Sequence, residues 1–190
     1  MTHADSLALP DTVKTKKEFH NHVAESLKNL LVGEKVHWIT GLANAASLLY
    51  GSFENYSAWG KADGRRVNWV GFYLLPQYFG DHTHQKTLEL GPFNGRPACV
   101  RVTLDSPRVG VCAEGFNTGK TTIVSDVDQH PGHITCDGAT RSEIVVPVRF
   151  NGKVIGVLDI DCEALNAFDQ DDLVGLERFV DVLVSHVGFV

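Results

Sequence analysis

Apolar residues along this chain recur first at helical and then at strand spacing. Between about Lys14 and Val32, Phe19, Val23, Leu27, Leu30 and Leu31 fall on one helical face and predict an amphipathic helix. A second helix is expected over Val36 to Tyr50, where Ile39, Leu42, Ala43, Ala46, Leu49 and Tyr50 repeat at three and four and the small residues allow close packing. The period then changes. β-Branched and aromatic residues over Val67 to Leu75 predict a strand, with a loop from Pro76 to Gln85. Thr87 to Leu90 and Ala98 to Val102 read as two short strands, separated by turns at Gly91, Pro92, Asn94 and Gly95. Gly110 to Thr118 suits a short helix, Thr121 to Val124 a strand, and Asp126 to Arg141 a long polar loop. Ile144 to Phe150 and Val154 to Asp161 predict a hairpin about Asn151-Gly152. A last helix starts near Asp169, Asp171 and Asp172, whose charges suit its dipole, and buries Leu173, Leu176, Val180, Leu183, Val184 and Val187.

This order predicts an α+β fold, an antiparallel sheet of about six strands with the N- and C-terminal helices packed on one face. A length of 190 residues supports one sizeable core. A single domain is therefore expected over 13–190, and the polar residues 1–12, with Pro10 among them, read as a flexible arm. No internal repeat or low-complexity tract interrupts it.

Composition narrows the function classes. The 43% hydrophobic content contains no long apolar run, which argues against a membrane span, and the polar N-terminus lacks the core of a signal peptide. A cytoplasmic location is expected. A formal charge of -6 disfavours nucleic acid as a partner. Four cysteines are too few for a disulfide scaffold, and with no CxxC pair a structural zinc site has little support. Free or redox-active thiols remain. Cys136 lies in the polar loop HPGHITCDG, where backbone amides, Gly and His can stabilise a thiolate within reach of a substrate. Cys99 and Cys112 are then available to resolve an oxidised intermediate. His130, His133 and Cys136 have ligand-like spacing, but neither HExxH nor CxxC accompanies them, and no metal is expected. His133 serves either to orient the loop or as a solvated side chain.

Strand parity adds carboxylates. Asp159 and Asp161 project from one face of their strand, Leu158 and Ile160 from the other. On the preceding strand Ile144, Val146, Val148 and Phe150 form the apolar face. Matching apolar face to apolar face calls for a three-residue loop, Asn151-Gly152-Lys153, with a bulge and Phe150 opposite Val154. Glu143 then faces Asp161, and Val145 faces Asp159. Three carboxylates gathered away from the core are either a site, able to hold a proton near neutral pH, or strand-end charges in solvent. Trp69 and Tyr73 share one face of their strand and Phe72 takes the other.

Read together, NWVGFY at 68–73, LGPFNGRPAC at 90–99, GVC at 110–112, PGHITCDG at 131–138, SEIVVP at 142–147 and GVLDIDC at 156–162 resemble the free methionine-(R)-sulfoxide reductase family. The resemblance covers most of residues 36–190 and implies a GAF-type domain. It implies reduction of the free amino-acid sulfoxide, an antioxidant activity, with Cys136 as attacking thiolate, Cys99 as resolving thiol and Cys112 as the third family cysteine. Glu143, Asp159 and Asp161 match the family's pocket carboxylates, and Trp69 and Tyr73 match aromatic positions that wall the substrate's methyl-sulfur end. No bound cofactor is implied. The reductant would be an external dithiol such as thioredoxin or a related small redox protein, and a homodimer is left open. The chain departs from the family pattern at CVRVTLDSPRVGVC, which is longer than usual, and at AEG after Cys112. Cys162 is not a family cysteine and reads as a bystander or an accessory thiol near the pocket. The rival from another class is a non-catalytic GAF module that senses a small molecule.

Overall fold

The computed structural model describes residues 7–33, 35–56, 65–106, 109–132 and 137–189. Chain order runs α1 (Lys16–Leu30), β1 (Val36–His37), α2 (Trp38–Asn55), β2 (Val67–Leu74), β3 (Thr87–Gly95), β4 (Arg101–Thr103), α3 (Val111–Thr118), β5 (Thr122–Val124), β6 (Ser142–Phe150), β7 (Lys153–Cys162), α4 (Gln170–His186) and β8 (Val187–Gly188). β4, β3, β2, β7, β6 and β5 form one sheet in that order, and every neighbouring pair is antiparallel. β1 and β8 make a separate short parallel pair.

Alternation divides the interior in two. Val70, Phe72, Leu74, Ile144, Val146, Val148, Leu158 and Ile160 face the helices α1, α2 and α4 and build the larger core. The intervening residues Tyr73, Val145 and Val157 face the opposite side, where α3 packs over β6 and β7. Gly115 lets α3 sit down on β6, since a Cβ there would stand 2.7 Å from Cγ1 of Val145. Both ends of the chain are tied in by capping boxes, Thr15 with Glu18 on α1 and Asp169 with Asp172 on α4. Asp172 is fully buried, and both Nε2 of His20 and Nζ of Lys16 meet its carboxylate, which pins α1 to α4. No helix among the described residues is long and apolar enough to cross a membrane.

Several sequence expectations need correction. The expected loose arm is docked over residues 7–9, where Leu7 and Leu9 pack against the larger core and Leu7 lies over Gly51. The second helix starts two residues later than expected, because Val36 and His37 pair with β8, and it continues to Asn55 because Ser52 and Phe53 are buried. Residues 91–95 belong to one continuous strand and not to turns. Pro92 is tolerated there because the β2–β3 register changes between Gly71↔Phe93 and Tyr73↔Leu90, a bulge that holds an extra residue on β3. The hairpin turn is the two-residue Asn151-Gly152, with φ of +50° and +76°, and Phe150 faces Lys153 instead of Val154. Parity is restored further along, by a bulge between Val148↔Gly156 and Arg149↔Val154 that leaves Ile155 extra. The pairing of Glu143 with Asp161 and Val145 with Asp159 is as expected, reached by a different device.

Candidate active site

On the sheet face away from α1, α2 and α4 lies a cavity of about 170 Å³. Every predicted site residue that the structure describes lines it: Trp69, Tyr73, Cys99, Cys112, Glu143, Asp159 and Asp161. Cys136 and His133 lie outside the described residues. His130 pairs with Glu114, Nε2 to Oε2 at 3.2 Å. Cys162 is buried on the helical side of the sheet, so strand alternation directs its sulfur away from the pocket and not toward it as an accessory thiol would need. Burial pushes its thiol up to about 11.

The floor is set by β2, β6 and β7. Asp161 is flanked by Trp69 on one side and Glu143 on the other, and Asp159 by Gly71 and Val145. Opposite Asp159, Gly71 leaves room for the Trp69 indole to lie flat across the strand, and a Cβ there would come within 2.3 Å of the ring. Trp69 stacks on Phe93 at 5.5 Å and on Tyr73 at 5.9 Å between centroids, an aromatic wall suited to an apolar methyl-sulfur group. Their polar tips fix the neighbouring loop. Trp69 Nε1 donates to the carbonyl of Arg96 at 3.1 Å and Tyr73 Oη to that of Cys99 at 3.0 Å.

The three carboxyl groups are buried, which removes the reading of solvated strand-end charges. Burial raises all three. It pushes Asp159 up to about 6, opposed by hydrogen bonds from Cys112 and Glu143, while burial and the neighbouring Asp159 charge raise Glu143 and Asp161 well above the usual carboxylate range. Sγ of Cys112 donates to Oδ2 of Asp159 at 3.3 Å, and Oδ1 of Asp159 has no hydrogen-bond partner among the described residues. Burial and these acids hold the Cys112 thiol protonated. Among the described residues, Cys112, Glu143 and Asp159 are near enough to share a metal ion, with ligand atoms within 4.8 Å of one another. Glu143 and Asp161, raised furthest, are the protonated acids of the cavity, and Asp159 accepts from Cys112 and Glu143. A buried acid beside an aromatic wall and a half-buried thiol can bind a small polar sulfur compound and protonate it.

The GAF domain family matches residues 64–187. The free methionine-R-sulfoxide reductase of Saccharomyces cerevisiae is 36% identical over 182 residues, 95% of this chain and 92% of the yeast protein. The chain belongs to the free methionine-R-sulfoxide reductase family. The Escherichia coli reductase is 35% identical over 165 residues, covering 87% of this chain and 86% of its own length. The crystal structure of the Neisseria meningitidis free methionine-R-sulfoxide reductase in complex with its substrate superposes with a TM-score of 0.77 at 35% identity, covering 94% of each chain. In this reductase fold the sequence reading missed Arg96, Asp137 and Thr140, which also line the cavity. Asp137 had a readable signal, its place directly after Cys136. Arg96 had one too, its place inside the 90–99 motif three residues before Cys99, whereas Thr140 had none, because only the tertiary structure brings it to the wall.

Proposed function

We propose that this protein reduces free L-methionine (R)-sulfoxide to methionine through a thiol cycle that starts at Cys136. A carboxyl of the Glu143, Asp159 and Asp161 cluster gives a proton to the sulfoxide oxygen, which makes the sulfur attackable by a thiolate. The Cys136 thiolate accepts the oxygen, methionine leaves as the thioether, and Cys136 becomes a sulfenic acid. Cys99 attacks that sulfur, an S–S bond forms, the S–O bond breaks, and the oxygen departs as water. An external dithiol of the thioredoxin class then reduces the disulfide by exchange, leaving both protein thiols regenerated and itself oxidised. No bound cofactor takes part, and a reducing, cytoplasmic setting suits the cycle. Cys112 acts as a neutral donor that orients Asp159, since its environment opposes thiolate formation.

The observation that carries this reading is the meeting of the buried, proton-holding carboxyls of Glu143 and Asp161 with an aromatic wall and Cys99 in one cavity. Trp69 and Tyr73 wall the methyl-sulfur end, and the size of the cavity suits a free amino acid better than a residue within a polypeptide. Incubating the reduced protein with each free sulfoxide epimer and with a peptide-bound one, and counting methionine released and thiols lost, tests it. Cys136→Ser should release no methionine, and Cys99→Ser should release one equivalent and stall. Equal release by Cys136→Ser and the parent overturns the assignment, and a protein that loses no thiols is a sensor.

A further inference from the structure

Several contacts beside the cavity converge on Asp137, which the cycle above does not use. Asp137 follows Cys136 directly in the chain. Its Oδ1 accepts the backbone N–H of Ala139 at 3.0 Å and stands 3.4 Å from Nη1 of Arg96, while its Oδ2 accepts from Nδ2 of Asn68 at 3.3 Å. Arg96 lies three residues before Cys99, and its own carbonyl is held by Trp69. One carboxylate thus touches the segment that carries Cys99 and belongs to the segment that carries Cys136.

Asn68 is placed for this by a break in β2. Val67 faces Cys162 and Trp69 faces Asp161, so β2 spends one more residue than β7 at this point. Val67 and Val70, three apart, both face the helical core, and Asn68 and Trp69 between them turn away from it. A bulge re-aims a side chain in this way at the cost of one ladder position. Asn68 is 6% exposed, and its Nδ2 also donates to Oγ1 of Thr140 at 3.0 Å, so the anchor is rooted in the sheet. The Ala139 N–H, Asn68 and Arg96 together hold the Asp137 carboxyl below its ordinary range, and it stays ionised near neutral pH.

We propose that Asp137 is a positioning residue that brackets the Cys136 and Cys99 segments and so controls closure of the disulfide more than attack on the sulfoxide. The inference rests on the proposed cycle. Closure is intramolecular, and its rate depends on how well the sulfenic sulfur and the Cys99 thiol are held in line. The reductant meets the product of this step and does not enter it.

The test is a single turnover in excess free sulfoxide, with methionine release, thiol loss and dimedone capture of the sulfenic acid followed in time. In Asp137→Ala, closure should slow about tenfold relative to release, and a dimedone adduct on Cys136 should accumulate that the parent does not show. Arg96→Ala should slow closure several-fold, and Arg96→Lys should restore most of it. A merely structural role would lower release and closure by the same factor. That outcome, or parental closure in Asp137→Ala, overturns the inference. If Asp137→Ala does not fold, Asp137→Asn, which keeps an acceptor for Ala139 but loses the charge that faces Arg96, must match Arg96→Ala, and parental closure in it overturns the inference equally. Failure of the underlying cycle looks different, because Cys99→Ser would then still form the disulfide at the parental rate.

Discussion

The buried carboxyl cluster should cost the protein stability in a way that pH reveals. Asp159 is 6% exposed, and its carboxyl is raised from 3.8 to about 6 by burial. The folded state therefore binds this proton more tightly than the unfolded chain, so stability is full below the unfolded value and declines as pH rises from there to the folded value. Above pH 7 the whole penalty is present, and the displacement from 3.8 to about 6 corresponds to about 3 kcal/mol. Asn at this position cannot ionise and keeps a carbonyl for the Cys112 thiol. Asp159→Asn should accordingly be more stable than the parent by about 1 kcal/mol at pH 4.5 and about 3 kcal/mol at pH 8. With a urea slope of about 2 kcal/mol per molar, the midpoint difference grows from about 0.5 M to about 1.5 M. Urea titrations of both proteins at pH 4.5, 6 and 8 measure it, and the same variant should release methionine more slowly in single turnover. A stability difference independent of pH would show that Asp159 carries no buried-charge penalty, and the account of burial acting on this carboxyl would fall with it.

Gly71→Ala should lower stability by about 1–3 kcal/mol, because its Cβ would stand 2.3 Å from the Trp69 ring and 2.4 Å from Cβ of Phe93. It should also alter the near-ultraviolet dichroism of the aromatic stack and raise KM for the sulfoxide; an unchanged spectrum speaks against the tight stack. Asp172→Ala, which strips Lys16 and His20 of their buried partner and breaks a capping box, should cost about 3–5 kcal/mol in denaturant while leaving methionine release at low temperature near parental. A matching loss of turnover would tie the helical face to the chemistry. Cys162→Ala should leave the sulfoxide-dependent loss of thiols at the parental count, since that sulfur faces the other core. One fewer thiol oxidised would place it in the cycle after all.

Much of the site was legible from alternation. Two carboxylates two residues apart on β7 must share a face, and an apolar run on β6 decides which face is the core, so the placing of Glu143, Asp159 and Asp161 on one face away from the larger core follows from the pattern. The same logic put Trp69 and Tyr73 on one face and Phe72 on the other, and the structure shows the first face to be the cavity side and the second the larger core. Alternation fails where a bulge adds a residue, and three bulges here, at Asn68, near Pro92 and at Ile155, could not be located from the chain. The turn between β6 and β7 illustrates this. Asn151-Gly152 carries the chemistry of a two-residue turn, and the parity it breaks is restored by a residue whose identity, isoleucine, announces nothing.

The residue pattern by itself determined the order of elements, the α+β class, and the set of acids, aromatics and thiols that belong together, because period and side-chain type are local properties. Tertiary structure alone decided that the acids are buried and their affinity for protons raised, that Cys162 belongs to the other core, and that Arg96, Asn68 and Asp137 meet. Those outcomes depend on which strands pair, at what register, and how closely α3 and the 96–100 segment come down on the sheet, and no short window of sequence contains that information.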